Sequence, residues 1–486
     1  MNSNGNNSSV VSNDGDSDDE FSDDEMWNNM DFGAFDLIEI GEREQNIIQR
    51  ANLEENDADD DLQDDLPLFY HAPEFTWTRE PYLVRCRSTF AKNPGPVKLF
   101  DIDTKATQYF SLFYTNAMFE KIVEFTNMNA MRKRTTDPGN NRGVWYNVTV
   151  EEIKAYYGVL ILMDVITCDR DELYWSQSTD YPYIRTEIPK IFSRDRFMQI
   201  RRYLHFSDDS NVDQTDKLFK FRYMIDNIGQ AFKEHYVPHE HISVDEAMIP
   251  FKGRLSFKQY MKDKPVKFGI KMWVLADAVT AYCHNFDIYV GRFTQGVNRF
   301  FGLSGQVVIS LTRHLQDEGR TVYTDNFYTS PILAHYLESK GIYTCGTVRC
   351  NRKGFPVGLV KPKNEENRQP RGHMEWRQCG SLIAHSWKDN RTVYYLSTGL
   401  VPEQEGLTTI RKKKDGSRVE FPCPPASSQY QKYMGGVDRM DQMTRLNKEK
   451  KTMRWYRRGE RKLFEISIYN AYIIWETAAR SFIVPT

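Results

Sequence analysis

The 486-residue sequence predicts an α/β protein in which a strand-rich core is flanked by helical segments and interrupted by a mostly β insertion. Three observations predict this. Between residues 241 and 349 the apolar pattern runs strand, strand, strand, helix, strand, helix, strand, an alternation that builds an open sheet with helices on its faces. From about Ala106 to Tyr236 apolar residues recur at helical spacing, and the same spacing returns after about residue 428. Between 350 and 427 the texture is broken by Gly, Pro, Lys and Asn.

In chain order, residues 1–66 alternate Ser, Asn, Asp and Glu with a few apolar islands. They have too little to bury to offset the entropy of ordering, so a disordered acidic tail is predicted, with 67–104 as a linker. In 105–240, Tyr109, Leu112, Phe113, Ala117, Phe119, Ile122 and Val123 recur at roughly helical spacing, and Val150 to Met163 repeats the pattern. Phe192 to Phe206 opens at a Ser cap and sets Arg opposite the apolar residues. The expected core, 241–349, has strands at His241–Asp245, Gly269–Ala278, Cys283–Val290, Thr321–Thr324 and Ile342–Arg349, with helices at Asn298–Asp317 and Ser330–Lys340. The insertion, 350–427, carries strands at Ser381–Trp387 and Thr392–Ser397. One helix from about Ser428 to Leu446 (core helix 428–446) and another from Trp455 to Arg480 (in 447–486) follow.

The formal net charge of -3 conceals two opposite pieces. Residues 1–66 hold 21 acids against two bases, a balance of −19, which leaves +16 on the other 420 residues. A basic body of this kind is the electrostatic footprint of nucleic-acid binding. No run of about 18 apolar residues predicts a membrane span, and the Asn- and Asp-rich start lacks the basic and then apolar order of a signal peptide, so an intracellular protein is expected. Seven scattered cysteines without a C-x-x-C pair are expected to be reduced thiols.

Asp245 falls in the first core strand, Asp325 at the exit of the fourth, and Asp438 after Gly435-Gly436-Val437 on the helix beyond the insertion. Ligands of open α/β sheets collect at the carboxyl ends of strands, where these three could converge. Three convergent carboxylates suit metal-assisted phosphoryl transfer, because Mg²⁺ takes hard oxygen ligands and two ions can serve the attacking and leaving oxygens. Singly, an aspartate after a strand is more often a turn or helix cap, and it is the combination that points to chemistry.

The blocks Ser243-Val-Asp-Glu-Ala-Met-Ile-Pro-Phe-Lys-Gly-Arg254, Lys264-Pro-Val-Lys-Phe-Gly-Ile-Lys271, Tyr323-Thr-Asp-Asn-Phe-Tyr-Thr-Ser330 and Gly435-Gly-Val-Asp-Arg-Met-Asp-Gln442 resemble the catalytic blocks of piggyBac-type transposases, and the likeness runs from about residue 105 to the end. The resemblance implies an RNase H-like catalytic core with Asp245, Asp325 and Asp438 as catalytic, metal-holding residues. It also implies Asp441 as a further acid, two Mg²⁺ ions with Mn²⁺ able to substitute, and Trp455 as an aromatic that supports DNA handling. It further implies a helical DNA-binding and dimerisation domain formed by segments on both sides of the core, and a nuclear homodimer that cuts and pastes double-stranded DNA from transposon ends into TTAA targets. Family members typically carry a Cys/His-rich zinc-binding domain; with no C-x-x-C pair here, no zinc is expected, and the alternative is a domesticated, catalytically silent nuclear DNA-binding protein.

Basic residues near the carboxylates are the expected DNA contacts: Lys252, Arg254, Lys264 and Lys271 around Asp245, and Lys448, Lys450, Lys451, Arg454, Trp455, Arg457 and Arg458 in the run Arg445–Lys462, which holds nine bases and two acids. A solvated helical face is the plainer reading of that run. His235, His239 and His241 have spacing suggestive of a metal site, but Pro238 argues against the helix such a site would use.

Overall fold

A computed structural model describes residues 73–80, 89–98, 100–140, 143–176, 186–213, 215–262, 264–291, 300–412, 416–444 and 452–483. The acidic tail 1–66 and the candidate DNA contacts Lys448, Lys450 and Lys451 lie outside the described residues.

Three helices before the core begin where a side chain satisfies one of the first free amides. Helix α1 (Asn116–Thr136) starts at Thr115, whose hydroxyl accepts from Met118 N at 3.3 Å. Helix α2 (Val150–Val165) opens with a reciprocal box between Thr149 and Glu152. Helix α3 (Arg194–Tyr203) opens at Ser193, as the sequence predicts, and α4 (Arg222–Glu234) leads into the sheet.

The core then follows the predicted order: β1 (His241–Pro250), β2 (Phe268–Asp277), β3 (Cys283–Ile288), α5 (Gly302–Thr312), β4 (Thr321–Thr324), α6 (Pro331–Ser339) and β5 (Tyr343–Thr347). The strands lie side by side as β3–β2–β1–β4–β5. The first two pairings are antiparallel, and β1–β4 and β4–β5 are parallel.

Both faces of this sheet are covered, and period-2 alternation divides its side chains between two cores. On β2, Ile270, Met272, Val274 and Ala276 pack with the surrounding helices, while Trp273 and Leu275 pack with α5 and α6. On β1, Ala247 and Ile249 belong to the first core and Ile242 and Val244 to the second. The helices preceding β1 and the last helix, α9 (Trp455–Ile483), share that first core with the sheet.

Three elements differ from the sequence reading. The insertion continues the sheet: β6 (Met374–Cys379), β7 (Leu382–Lys388) and β8 (Thr392–Thr398) form an antiparallel run that joins the outer edge of β5 through β8. An otherwise unpaired strand edge is thereby satisfied. The helix expected over 428–446 is two, α7 (Pro425–Tyr433) and α8 (Gly436–Met443), broken at Gly435. Part of the linker is packed: Thr78 pairs with Gln378 of β6, and Trp77 Nε1 donates to Gly354 O at 2.8 Å. No described helix is long and apolar enough to cross a membrane.

Candidate active site

Asp245 lies midway along β1 and Asp325 directly follows β4. The two strands pair in parallel with Val244 beside Thr324, so the next residue of each sets these aspartates at adjoining positions. Alternation gives Asp245 the face of Ala247 and Ile249. On β4, Tyr323, two residues before Asp325, turns to α7, with its hydroxyl 3.3 Å from Gln429 Oε1 and its ring 5.2 Å from that of Tyr433. Both aspartates thus belong to the face that α7 and α8 cover.

Helix α8 lies on β1 because residue 436 has no side chain. A Cβ there would overlap Ser243 Oγ and stand 3.1 Å from the Asp277 carbonyl oxygen. Arg439 fixes the helix from outside by donating to the carbonyls of Ala278 and, at 3.3 Å, Val279. Asp438 occupies the first turn of α8, where the helix dipole favours a carboxylate. We expect Gly436→Val to cost about 1–3 kcal/mol by overpacking. Gly435→Ala, whose added carbon meets nothing within 4 Å, should stay within about 0.5 kcal/mol. Urea unfolding of the two variants measures the contrast, and equal losses would show that α8 is not held by close approach.

Burial, with Glu246 and Asp325 adding to it against Lys264, holds the Asp245 carboxyl well above the ordinary carboxylate range. Burial also raises Asp325, opposed first by the amide of Phe327, which donates to its Oδ1 at 2.9 Å. Asp438 is exposed and is the outlying member: its Oδ1 is 4.0 Å from Lys264 Nζ. Burial works against the Lys264 ammonium, but Asp245, Glu246, Asp438 and Asp441 together outweigh it and raise its pKa. Lys271 stands 4.0 Å from Glu246 Oε2, and burial lowers its pKa. Among the described residues no three Asp, Glu, His or Cys side chains stand close enough together to hold one ion. The structure brings Asp245 and Asp325 together and keeps Asp438 one lysine away. Crowded, partly desolvated carboxylates with hard oxygen donors have the chemistry that fits Mg²⁺ or Mn²⁺.

Other predicted residues have different partners. Asp441 is ion-paired with the buried Lys462 at 2.9 Å, an attachment of α8 to α9. Trp455, expected at DNA, is only 8% exposed and meets Phe221 and Phe257 edge-on at 5.5 and 5.3 Å. It belongs to the core because it opens α9 against the sheet. Arg454 donates to Arg202 O at 2.6 Å, and Arg457 donates to the carbonyls of Arg202 and Leu204, both at 3.0 Å. They satisfy the free carbonyls at the end of α3. The guanidinium of Arg461 pairs with Asp164. The described part of the basic run is therefore largely engaged inside the protein, Arg458 included among the residues with partners. Lys252 and Arg254 are exposed beyond β1. His239 pairs with Asp277 at 2.8 Å and His241 stacks on Tyr433 at 3.8 Å, so these rings serve separate contacts.

Residues that sequence reasoning missed include Glu246, whose place beside Asp245 was the available signal, and Arg349 and Arg352. Arg352 donates to the carbonyls of Asn326 and Phe327, and Arg349 Nε to Asn326 Oδ1 at 3.3 Å, all in the turn after Asp325.

The chain is similar to several known proteins. The human piggyBac transposable element-derived protein 3 is 28% identical over 393 residues, covering 79% of this chain and 63% of its own length. The human piggyBac transposable element-derived protein 2 is 28% identical over 390 residues, covering 79% and 64%. The chain thus spans less than two thirds of the length of these two relatives. Among solved structures, a piggyBac transposase in a synaptic complex with hairpin DNA aligns with a TM-score of 0.67 and 26% identity, over 80% of this chain and 79% of that one. Residues 105–472, more than half of the sequence, match the model of the family described as Transposase IS4. The chain belongs to that transposase family and is of the piggyBac type.

Proposed function

We propose that the protein is a cut-and-paste DNA transposase that cleaves and rejoins DNA strands at TTAA targets, using Asp245, Asp325 and Asp438. The observation that carries this reading is the placement of Asp245 and Asp325 at adjoining positions of two parallel strands, with α8 seated through Gly436 on the same face. The strand order β3–β2–β1–β4–β5 supports treating residues 241–349 with α8 as an RNase H-like core.

The three aspartates would hold divalent ions, Mg²⁺ or Mn²⁺, whose chemistry is to activate water or a 3′ hydroxyl and to stabilise the leaving oxygen. The chain's own residues supply the rest. Exposed Lys252 and Arg254 attract backbone phosphates on the approach to Asp245. Lys264 and Lys271 moderate the repulsion among the carboxylates. Double-stranded DNA, a second copy of the chain and the nucleus complete the reading as partners and place.

A plasmid excision assay with the cognate ends tests it: loss of the insert with TTAA restored is the expected product. The second reading, a silent DNA-binding derivative, has one observation in its favour, that Asp438 is held by Lys264 apart from the other two. It predicts salt-dependent duplex binding with neither excision nor nicking in Mg²⁺.

A further inference from the structure

We infer that Glu246 is a positioning residue that sets the elements carrying the three aspartates in register, acting through Tyr328 and Lys264; this rests on the reading of the aspartates given above. Alternation on β1 gives Glu246 the face of Val244, opposite Asp245, so it acts from beneath the site. Its Oε2 accepts from Tyr328 OH at 3.0 Å. Tyr328 is buried, 1% exposed, and its amide donates to the Asp325 carbonyl at 3.3 Å, closing the turn that carries the second aspartate. Glu246 is thus tied to the Asp325 turn across two strands.

The other link runs to α8. Lys264 Nζ donates to the Glu246 carbonyl oxygen at 3.2 Å and stands 3.8 Å from its Oε1, while reaching to 4.0 Å from Asp438 Oδ1. Lys271 Nζ is 4.0 Å from Oε2 and lies 4.9 Å over the Phe327 ring, in the same turn as Asp325. One carboxylate therefore contacts groups on β2, the loop before it and the turn after β4. Its charge also offsets two ammonium groups that would otherwise compete with a divalent cation for Asp245 and Asp325.

The test is Mn²⁺ binding to the full chain without DNA, read by electron paramagnetic resonance, with thermal unfolding as the check on folding. Glu246→Ala should weaken Mn²⁺ binding by about tenfold or more, as loss of the groups that orient ligands does elsewhere. Glu246→Gln keeps an acceptor for Tyr328 but loses the charge, and should be weakened less. Tyr328→Phe should lose part of the affinity. Lys264→Met should also weaken Mn²⁺ binding, and combining it with Glu246→Gln should add little to either loss, a non-additivity that two independent structural changes would not produce. Should Glu246→Ala not fold, Glu246→Gln and its combination with Lys264→Met decide. Wild-type Mn²⁺ affinity in folded Glu246 variants, alongside its loss in Asp245→Ala, overturns this inference alone. Retention of wild-type affinity in Asp245→Ala would instead overturn the function proposed for the aspartates.

Discussion

Asp245→Ala is expected to abolish Mg²⁺-dependent strand cleavage, a fall of at least about a thousandfold, while leaving duplex binding intact. Asp325→Ala and Asp438→Ala should behave alike in a nicking assay on a transposon end, since each would remove one oxygen ligand from a shared site. Full cleavage by any one of the three would sink the assignment of that residue. The same position makes a stability prediction of opposite sign. Because burial and neighbouring carboxylates hold the Asp245 pKa above its ordinary value, the folded state binds this proton more tightly than the unfolded chain does. Stability is thus lost as pH rises from about 4, the unfolded value, up through the folded one. Asp245→Asn removes that loss. In chelator at pH 8 the variant should melt roughly 1–3 °C above the wild type, and the gap should close toward pH 4. A variant that melts lower at pH 8 would mean that the carboxylate is stabilised by its lysines rather than strained by its neighbours.

Trp455→Ala should be the most destabilising single truncation at the start of α9, at about 3–5 kcal/mol. The indole is packed between Phe221 and Phe257, and one turn later Gly459 approaches Phe221 so closely that an added Cβ would overlap the ring. Any loss of DNA binding should follow the loss of folded protein, and Trp455→Phe should restore much of both. Urea unfolding beside a binding titration separates the possibilities. A stable Trp455→Ala protein with weakened DNA binding would return the indole to the DNA surface.

The core was legible where periodicity and chemistry coincide. Thr321–Thr324 matches β4 to the residue, and the other core elements differ only at their ends. What escaped depended on distant neighbours. β6 carries Glu375, Arg377 and Gln378 and reads as polar loop, but it pairs with β7, which is buried along most of its length. Glu246 stands next to a catalytic candidate, but its role rests on Tyr328 and Lys264, which lie 82 and 18 positions away in sequence. The basic run shows what a sequence omits, since charge is visible in it and partners are not. Arg454 and Arg457 are placed by carbonyls about 250 positions earlier, and no local pattern records that. The break at Gly435 could have been read from Gly435-Gly436, which interrupts an otherwise helical pattern.

Glu460 on α9 has a consequence for how the chain is made. It is 3% exposed, and its Oε1 accepts from Tyr114 at 3.1 Å and Tyr157 at 2.7 Å, partners separated from it by 346 and 303 residues. At synthesis rates of about 5–20 residues per second, the first helices leave the ribosome roughly half a minute before the residue that receives their hydroxyls exists. Through that interval their aromatic faces have only one another and whatever chaperones are at hand. Maturation of these early helices is thereby deferred to translation of α9, which makes α9 their clasp in time as well as in space.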